Sequence, residues 1–202
     1  ILFEGVSLSL ADGQFVSIEG PSGGGKSTLL RHVTALAYSP GAVRHLDGES
    51  YEGAALPGWR SRVSLVAQDA PMIAGTVREN LSFPFAQRAG RKTPFDDVRA
   101  EALMTQVGLE QLPFDREVRT LSGGERHRVA LIRSLLWNPT VIVADEPLAG
   151  LDPDIAAVCF DLLLRFGRRP GRLLVCVLHD PEMSARADQR LRLADDLLKG
   201  VA

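Results

Sequence analysis

A glycine-rich segment near the start of the chain, Gly20-Pro21-Ser22-Gly23-Gly24-Gly25-Lys26-Ser27-Thr28, fits the pattern G-x-x-x-x-G-K-[ST]. Glycine leaves backbone N–H groups unshielded, so they can surround an anionic phosphate at the start of a helix. Lys26 would supply positive charge to the β- and γ-phosphates, and the Ser27 hydroxyl would bind Mg²⁺. A chance glycine turn is the alternative, but a strand pattern precedes this segment and a helical pattern follows it. The segment, including Thr28, therefore predicts a nucleoside triphosphate site.

Acidic residues follow a continuous apolar strand pattern that ends at Asp145. A carboxylate at the end of such a strand lies at the carboxyl edge of a sheet, so Asp145 is expected to bind the metal beside the glycine loop. Glu146 is placed to polarise an attacking water, or alternatively to cap the next turn. Asp152 lies further along, where it could contact the nucleotide, cap the helix that starts near Ile155, or do both.

Two more polar residues follow predicted strands. Gln68 follows the apolar segment 63–67 and can offer a neutral amide to water or Mg²⁺, although an isolated glutamine is more often a surface residue. His179 ends the segment 173–178 and could bind the γ-phosphate or orient the catalytic water. The alternative for His179 is a structural role.

A second glycine element, Leu121-Ser122-Gly123-Gly124-Glu125, precedes helical apolar spacing through Leu136. It is another helix start rich in free N–H groups, so Ser122, Gly123 and Gly124 predict a second anion site. Because the first loop already occupies one face of the triphosphate, we expect this second site to contact a nucleotide held by another copy of the chain.

Strand patterns alternate with helical patterns along the chain, which predicts an α/β fold with a mostly parallel sheet flanked by helices. Residues 1–18 read as a hairpin with a turn at 11–13, a small N-terminal antiparallel β part. Residues 76–136 are largely helical, interrupted at Pro84, Gly90, Pro94 and Pro113, which predicts an inserted α-helical subdomain. The remaining predicted strands are 15–18, 63–67, 141–145, 173–178 and 190–194, and the remaining predicted helices are 27–37 and 155–166.

Composition narrows the class of protein. A length of 202 residues suits one domain, and a net charge of −2 lacks the basic footprint of a nucleic-acid binder. No apolar run reaches the roughly 18 residues that span a bilayer, and the first residues do not resemble a signal peptide, so a cytosolic chain is expected. Cys159 and Cys176 lie in apolar segments and are expected to be buried free thiols.

Together, in this order, the glycine loop, Gln68, the LSGGE element, the acidic pair, Asp152 and His179 resemble the nucleotide-binding domain of ABC transporters. The resemblance implies one ABC ATP-binding domain over residues 1–202. Its P-loop NTPase core would comprise residues 1–68 and 137–202, and its helical subdomain about residues 69–136.

The resemblance also implies a function. Such a chain would bind ATP and Mg²⁺ and hydrolyse ATP as a head-to-tail homodimer that powers a separate integral-membrane permease. It would sit peripherally on the cytoplasmic face of the inner or plasma membrane, with no nucleic-acid partner. Glu146 would be the catalytic base, Gln68 a metal ligand and a link to the permease, and His179 the sensor of the γ-phosphate.

Some segments resemble one branch of this family more closely. Segments 59–68 and 75–85 resemble ATPases of bacterial iron exporters, which suggests metal export. The aromatic residue that stacks on adenine is expected upstream of Ile1. His127 stands where many relatives have Gln, and we expect little consequence. Phe83 and Phe85 either dock the permease or pack the helical subdomain.

Two other functions share part of this pattern. A soluble ABC ATPase that acts on ribosomes or DNA is the main alternative, but it normally has paired domains or a long coiled coil. A small-molecule phosphotransferase would share the glycine loop and leave LSGGE and His179 unexplained.

Overall fold

The computed structural model describes residues 8–87, 93–194 and 197–201. The chain divides into two compact units. The first comprises Ile1–Leu65, Pro139–Glu146 and Phe166–Ala202, and the second comprises Val66–Asn138 and Pro147–Arg165. The boundaries drawn from the sequence at residues 68 and 137 remain a prediction.

A six-stranded sheet has the order β4-β5-β6-β1-β7-β8. Pairings β1–β6, β1–β7 and β5–β6 are parallel, and β7–β8 at one edge is antiparallel. The α/β prediction of a mostly parallel sheet is thus confirmed. The strands are β1 (Gln14–Glu19), β2 (Arg44–Leu46), β3 (Glu49–Tyr51), β4 (Val63–Val66), β5 (Val141–Asp145), β6 (Leu173–Val177), β7 (Gln189–Ala194) and β8 (Leu197–Val201).

The central strands are apolar because helices cover both faces of a parallel sheet. Every residue of β5 is buried, as are the four inner residues of β1. These side chains form one core with the first helix and with Trp59. Members of this core include Val16, Ile18, Leu29, Leu30, Trp59, Val143, Val175, Val177, Leu191 and Leu193.

The small antiparallel sheet is formed by β2 and β3. Asp47 and Gly48 connect these strands with φ angles of 52° and 79°. Two positive φ angles define the tight turn that matches strand twist, and Asp-Gly favours it. This hairpin was not among the predicted elements, although Asp47-Gly48 is a local sequence signal for it.

The N-terminal hairpin predicted for residues 1–18 is described only in part. Residues 1–7 lie outside the described residues, and residues 8–11 are not in a strand. The predicted turn is present at Asp12 and Gly13, directly before β1. The separate antiparallel sheet within the described residues is therefore β2–β3, later in the chain than predicted.

The helices follow the predicted order, with shifted ends. Helix α1 ends at Val33 rather than near residue 37, because Ala35 takes a positive φ of 57°. Pro84 lies within the last turn of α3 instead of interrupting it. The helices are α1 (Lys26–Val33), α2 (Leu56–Arg62), α3 (Val77–Ala86), α4 (Asp97–Gln106), α5 (Gly123–Trp137), α6 (Pro153–Gly167) and α7 (Pro181–Ala185).

In the second unit, α5 packs against α3 and α4. Its buried face repeats at helical spacing, with Val129, Ile132 and Leu136 all at most 3% exposed. Three aromatic rings pack together in this unit, since the ring centroid of Phe85 lies 5.7 Å from the ring centroids of both Phe95 and Trp137. Phe83 on the same helix is 39% exposed. Phe85 therefore packs within the subdomain, whereas Phe83 faces outward.

Candidate nucleotide site

The glycine loop joins β1 to α1 in the first unit, as the sequence predicts. Gly25 precedes α1 with a φ of 85° and has no side chain to cap the helix. The N–H groups of the first turn are thus left for an anion. Gly20 is required for a different reason, because a Cβ there would lie 2.8 Å from the carbonyl oxygen of Leu193.

Lys26 is held inside this loop. Its side chain is buried, and Nζ donates to the carbonyl oxygens of Gly20 at 3.0 Å and Pro21 at 2.8 Å. An ammonium group has three N–H donors, so these two contacts leave one for a phosphate oxygen. The loop therefore fixes a positive charge at the start of α1, beside the residues Ser27 and Thr28.

Strand register aligns the other predicted residues of the first unit at one edge. Val177 of β6 pairs with Ile18 of β1 on one side and with Asp145 of β5 on the other. Because the three strands are parallel, their carboxyl ends meet at this level. The glycine loop, the acidic pair and His179 all leave the sheet at this edge.

Asp145 is buried at 6% exposure. Within the described part of the chain, its Oδ1 atom accepts no hydrogen bond. A buried carboxylate oxygen without a partner is unfavourable, and a divalent cation is a ligand that would satisfy it. The position of Asp145 therefore fits a metal ion held at the sheet edge.

Glu146 and His179 meet at the same edge. The Nε2 atom of His179 lies 2.6 Å from Oε1 of Glu146. The backbone N–H of Glu146 donates to the carbonyl of Val177, and Glu146 has a positive φ of 48°. A positive φ is uncommon outside glycine and often marks a functional turn. At Glu146 this φ angle turns the chain directly after Asp145, so the two acidic side chains point in different directions.

The second glycine element starts α5 in the second unit. Ser122 Oγ accepts from the backbone N–H of Glu125 at 3.2 Å, and Glu125 Oε2 accepts from the N–H of Ser122 at 2.7 Å. This reciprocal capping box lowers the pKa of Glu125, chiefly through the backbone hydrogen bond from Ser122. The hydroxyl hydrogen of Ser122 and the N–H groups of Gly123 and Gly124 remain at an exposed helix start.

The other two predicted residues also lie in the second unit. The Oδ1 atom of Asp152 accepts from the N–H of Asp154 at 3.0 Å, directly before α6. Asp152 thus has the capping role that the sequence left open. The backbone carbonyl of Gln68 accepts from Nε2 of His127 at 2.7 Å. Sequence reasoning missed this contact and assigned His127 no role.

The structure thus brings together two sets of predicted residues. The first unit contains the glycine loop with Asp145, Glu146 and His179, which can bind a triphosphate, hold a cation and activate water. The second unit contains Gln68, the Ser122 helix start and Asp152. In each unit a helix starts beside glycine, α1 directly after Gly25 and α5 at Gly123, and the N–H groups of its first turn can bind an anion.

Known proteins share this arrangement. The family profile described as ABC transporter matches residues 3–149. The lipoprotein-releasing system ATP-binding protein LolD of Anaeromyxobacter dehalogenans is 36% identical over 199 residues, covering 96% of this chain and 83% of that protein. The phosphonates import ATP-binding protein PhnC of Hyphomonas neptunium is 34% identical over 193 residues, covering 92% of this chain and 74% of that protein.

Solved structures of other proteins also resemble this chain. A dimeric post-hydrolysis state of the ATP-binding cassette MJ0796, bound to ADP and Pi, matches with a TM-score of 0.86 and 28% identity, covering 98% of this chain and 88% of that one. An ATP-bound bacterial Atm1-family ABC exporter matches with a TM-score of 0.82 and 27% identity. That match covers 98% of this chain and 35% of the exporter chain.

Proposed function

Because this chain belongs to the ABC transporter family, we propose that its ATPase activity drives a separate membrane permease through a head-to-tail dimer of two copies. ATP hydrolysis itself is the activity of the family and of this chain. The observation that supports the dimer is the pair of helix starts, one at Gly25 and one at Ser122. Each presents N–H groups to an anion, and each lies in a different unit of the chain.

Within one copy, the first unit binds the triphosphate. The N–H groups of the glycine loop surround the phosphates, and Lys26 neutralises charge on the β- and γ-phosphates. Glu146 accepts a proton from the attacking water, and His179 keeps the Glu146 carboxylate oriented through their hydrogen bond. Asp145 and Ser27 would hold Mg²⁺, which would supply charge neutralisation at the phosphates when bound. The metal-ligand role that the sequence assigns to Gln68 stays a prediction.

The second copy completes the site. Its Ser122 hydroxyl and the N–H groups of Gly123 and Gly124 contact the γ-phosphate of the nucleotide held by the first copy. The capping box supports this role because it holds Ser122 Oγ at the helix start while the hydroxyl hydrogen stays available. Asp152 of this second copy contacts the same nucleotide while capping its own α6. The dimeric state of the related cassette MJ0796 is consistent with this arrangement.

The permease is proposed to be a separate chain. Among the described residues, no helix is long and apolar enough to cross a membrane. The relatives are ATP-binding subunits for lipoprotein release and phosphonate import. We place this chain at the cytoplasmic face of the inner or plasma membrane, held by its permease through Gln68 and Phe83. Neither relative's name supports the metal-export substrate suggested by the sequence, which stays a prediction.

The central test is Glu146→Gln. This variant should lower ATP turnover by about 10²- to 10⁴-fold while it still binds ATP. It should trap an ATP-bound dimer, measurable by size-exclusion chromatography with light scattering. Glu101→Gln, an exposed carboxylate on α4, is the matched control and should turn over normally. Normal turnover by Glu146→Gln would exclude it as the base.

The shared site has its own test. Ser122→Arg should preserve ATP binding to the monomer, measured by titration calorimetry, and should block dimer closure and hydrolysis. If monomer binding is lost, Ser122 acts on the nucleotide of its own chain. Co-purification with a multi-span membrane protein supports the transport role, whereas stable association with ribosomes or DNA contradicts it. A phosphorylated acceptor in place of free phosphate would contradict hydrolysis.

A further inference from the structure

His127 lies in the first half of α5 and contacts two backbone carbonyls at once. Its Nδ1 atom is 2.9 Å from the carbonyl oxygen of Gly123, and its Nε2 atom is 2.7 Å from the carbonyl oxygen of Gln68. Gly123 is the first residue of α5 and directly follows Ser122. Gln68 is distant in sequence and follows β4. The imidazole therefore bridges the two predicted functional segments of the second unit.

The partner atoms of the ring are both backbone oxygens. Carbonyl oxygens only accept hydrogen bonds, so the imidazole is the donor to the Gln68 carbonyl and links that carbonyl to α5. We propose that His127 is a positioning residue that couples the Gln68 backbone to the start of α5.

A second contact from the same helix supports a common movement. Arg133 donates from Nη2 to the carbonyl of Pro71 at 2.8 Å, so α5 holds the segment after β4 at two points. Asn80, fully buried, holds the next part of this segment, since it accepts from the N–H of Ile73 and donates to its carbonyl. The segment 68–73 is thus attached to α5 at Gln68 and Pro71, and to α3 at Ile73.

This inference rests on the proposed roles of Ser122 and Gln68. If Ser122 contacts a nucleotide of the second copy, any shift of the α5 start reaches Gln68 through His127. Positioning Gln68 then depends on the engagement of Ser122. Arg133 would keep the two segments associated without fixing the Gln68 carbonyl itself.

Substitutions separate this role from simple packing. His127→Leu replaces the imidazole with an apolar side chain that cannot form a hydrogen bond to either carbonyl. Its kcat should fall roughly 3- to 30-fold, with the KM for ATP unchanged, because the glycine loop that holds ATP is in the other unit. His127→Gln should restore kcat to within about twofold, since one amide group carries two N–H donors. His45→Leu, an exposed histidine in β2, is the matched control and should have wild-type kinetics.

The outcomes that overturn the proposal are distinct. Wild-type kcat in His127→Leu, or an equal loss in His127→Gln, would exclude a role for the hydrogen-bonded bridge. A fall in kcat that follows a lowered melting temperature would make the residue structural only. If Ser122→Arg hydrolyses ATP normally, the proposed shared site fails. If Ser122→Arg is inactive while His127→Leu is normal, only the bridge fails.

Discussion

His179 and Glu146 are in direct contact, with Nε2 of His179 2.6 Å from Oε1 of Glu146. The pairing of β5 with β6 brings these residues together from positions 33 apart in the chain. The side chain of Glu146 is 18% exposed, whereas the side chain of His179 is 60% exposed. The exposed imidazole can therefore orient the mostly buried carboxylate while it stays in contact with solvent.

The first prediction concerns this pair. Because His179 acts through Glu146, the two residues should behave as one unit in kinetics. Glu146→Gln should lower kcat by about 10²- to 10⁴-fold, and His179→Ala by roughly 10²-fold. The double variant should lose no more than Glu146→Gln alone. Single-turnover phosphate release measures all three.

Additive losses would contradict this prediction. If the double variant lost the product of the two single effects, His179 would contact the nucleotide independently of Glu146. His32→Ala is a suitable control, since His32 lies on α1 and bonds Ser39 at 2.6 Å. It should leave kcat within about twofold, as surface changes usually do.

The second prediction uses two helices that start in the same way. Ser122 caps α5 and Thr76 caps α3, each in a capping box with a glutamate at the third position. Ser122→Ala and Thr76→Ala should each destabilise the fold by about 1 kcal/mol. In a chain of this size that corresponds to a melting-temperature shift of about 2–4 °C. Only Ser122→Ala should also reduce ATP turnover, because only its hydroxyl is proposed to contact a nucleotide.

Calorimetry measures the melting temperature of each variant, and steady-state assays measure its ATP turnover. Equal losses of both stability and turnover would mean that Ser122 is a helix cap and nothing more. Wild-type turnover in Ser122→Ala would leave contact with the γ-phosphate to the N–H groups of Gly123 and Gly124.

The third prediction concerns the two cysteines, both fully buried. Burial raises the pKa of the Cys159 thiol to about 11, and burial raises that of Cys176 further still. The reactive thiolate is therefore nearly absent at neutral pH. Iodoacetamide should leave the native chain unmodified and alkylate both residues after unfolding in guanidinium, as read by mass spectrometry.

A positive control is available on the same helix. Val158 neighbours Cys159 and is 40% exposed, so Val158→Cys should react readily in the native chain. Native alkylation of Cys159 or Cys176 at a similar rate would contradict their burial.

The sequence predicts much of the first unit because its signals are local. The glycine loop needs a strand before it and a helix after it, and both patterns are readable within the segment 14–33. Asp145 and His179 each end an apolar run, and parallel strands bring such ends to one edge whatever the connections are. Local pattern and sheet geometry thus suffice for this part of the site.

The missed features depend on distant partners. Helical spacing indicates that His127 lies on α5, but it gives no information about the carbonyl of Gln68, 59 residues away. The unpartnered Oδ1 of Asp145 likewise depends on burial by other elements. The β2–β3 hairpin was local and could have been predicted from Asp47-Gly48. The end of α1 could not have been predicted, because alanine rarely adopts a positive φ such as the one at Ala35.

The last prediction separates two phenylalanines on α3. Phe85 packs against Phe95 and Trp137 in edge-to-face contacts, so Phe85→Ala should lower stability by roughly 1–3 kcal/mol. Phe83 is 39% exposed, and Phe83→Ala should change stability by less than about 0.5 kcal/mol. If the exposed ring contacts the permease, Phe83→Ala should weaken co-purification of the permease while the isolated chain keeps its ATPase activity. If Phe83→Ala is as stable as the wild type and recovers as much permease, the permease does not dock through Phe83 on α3.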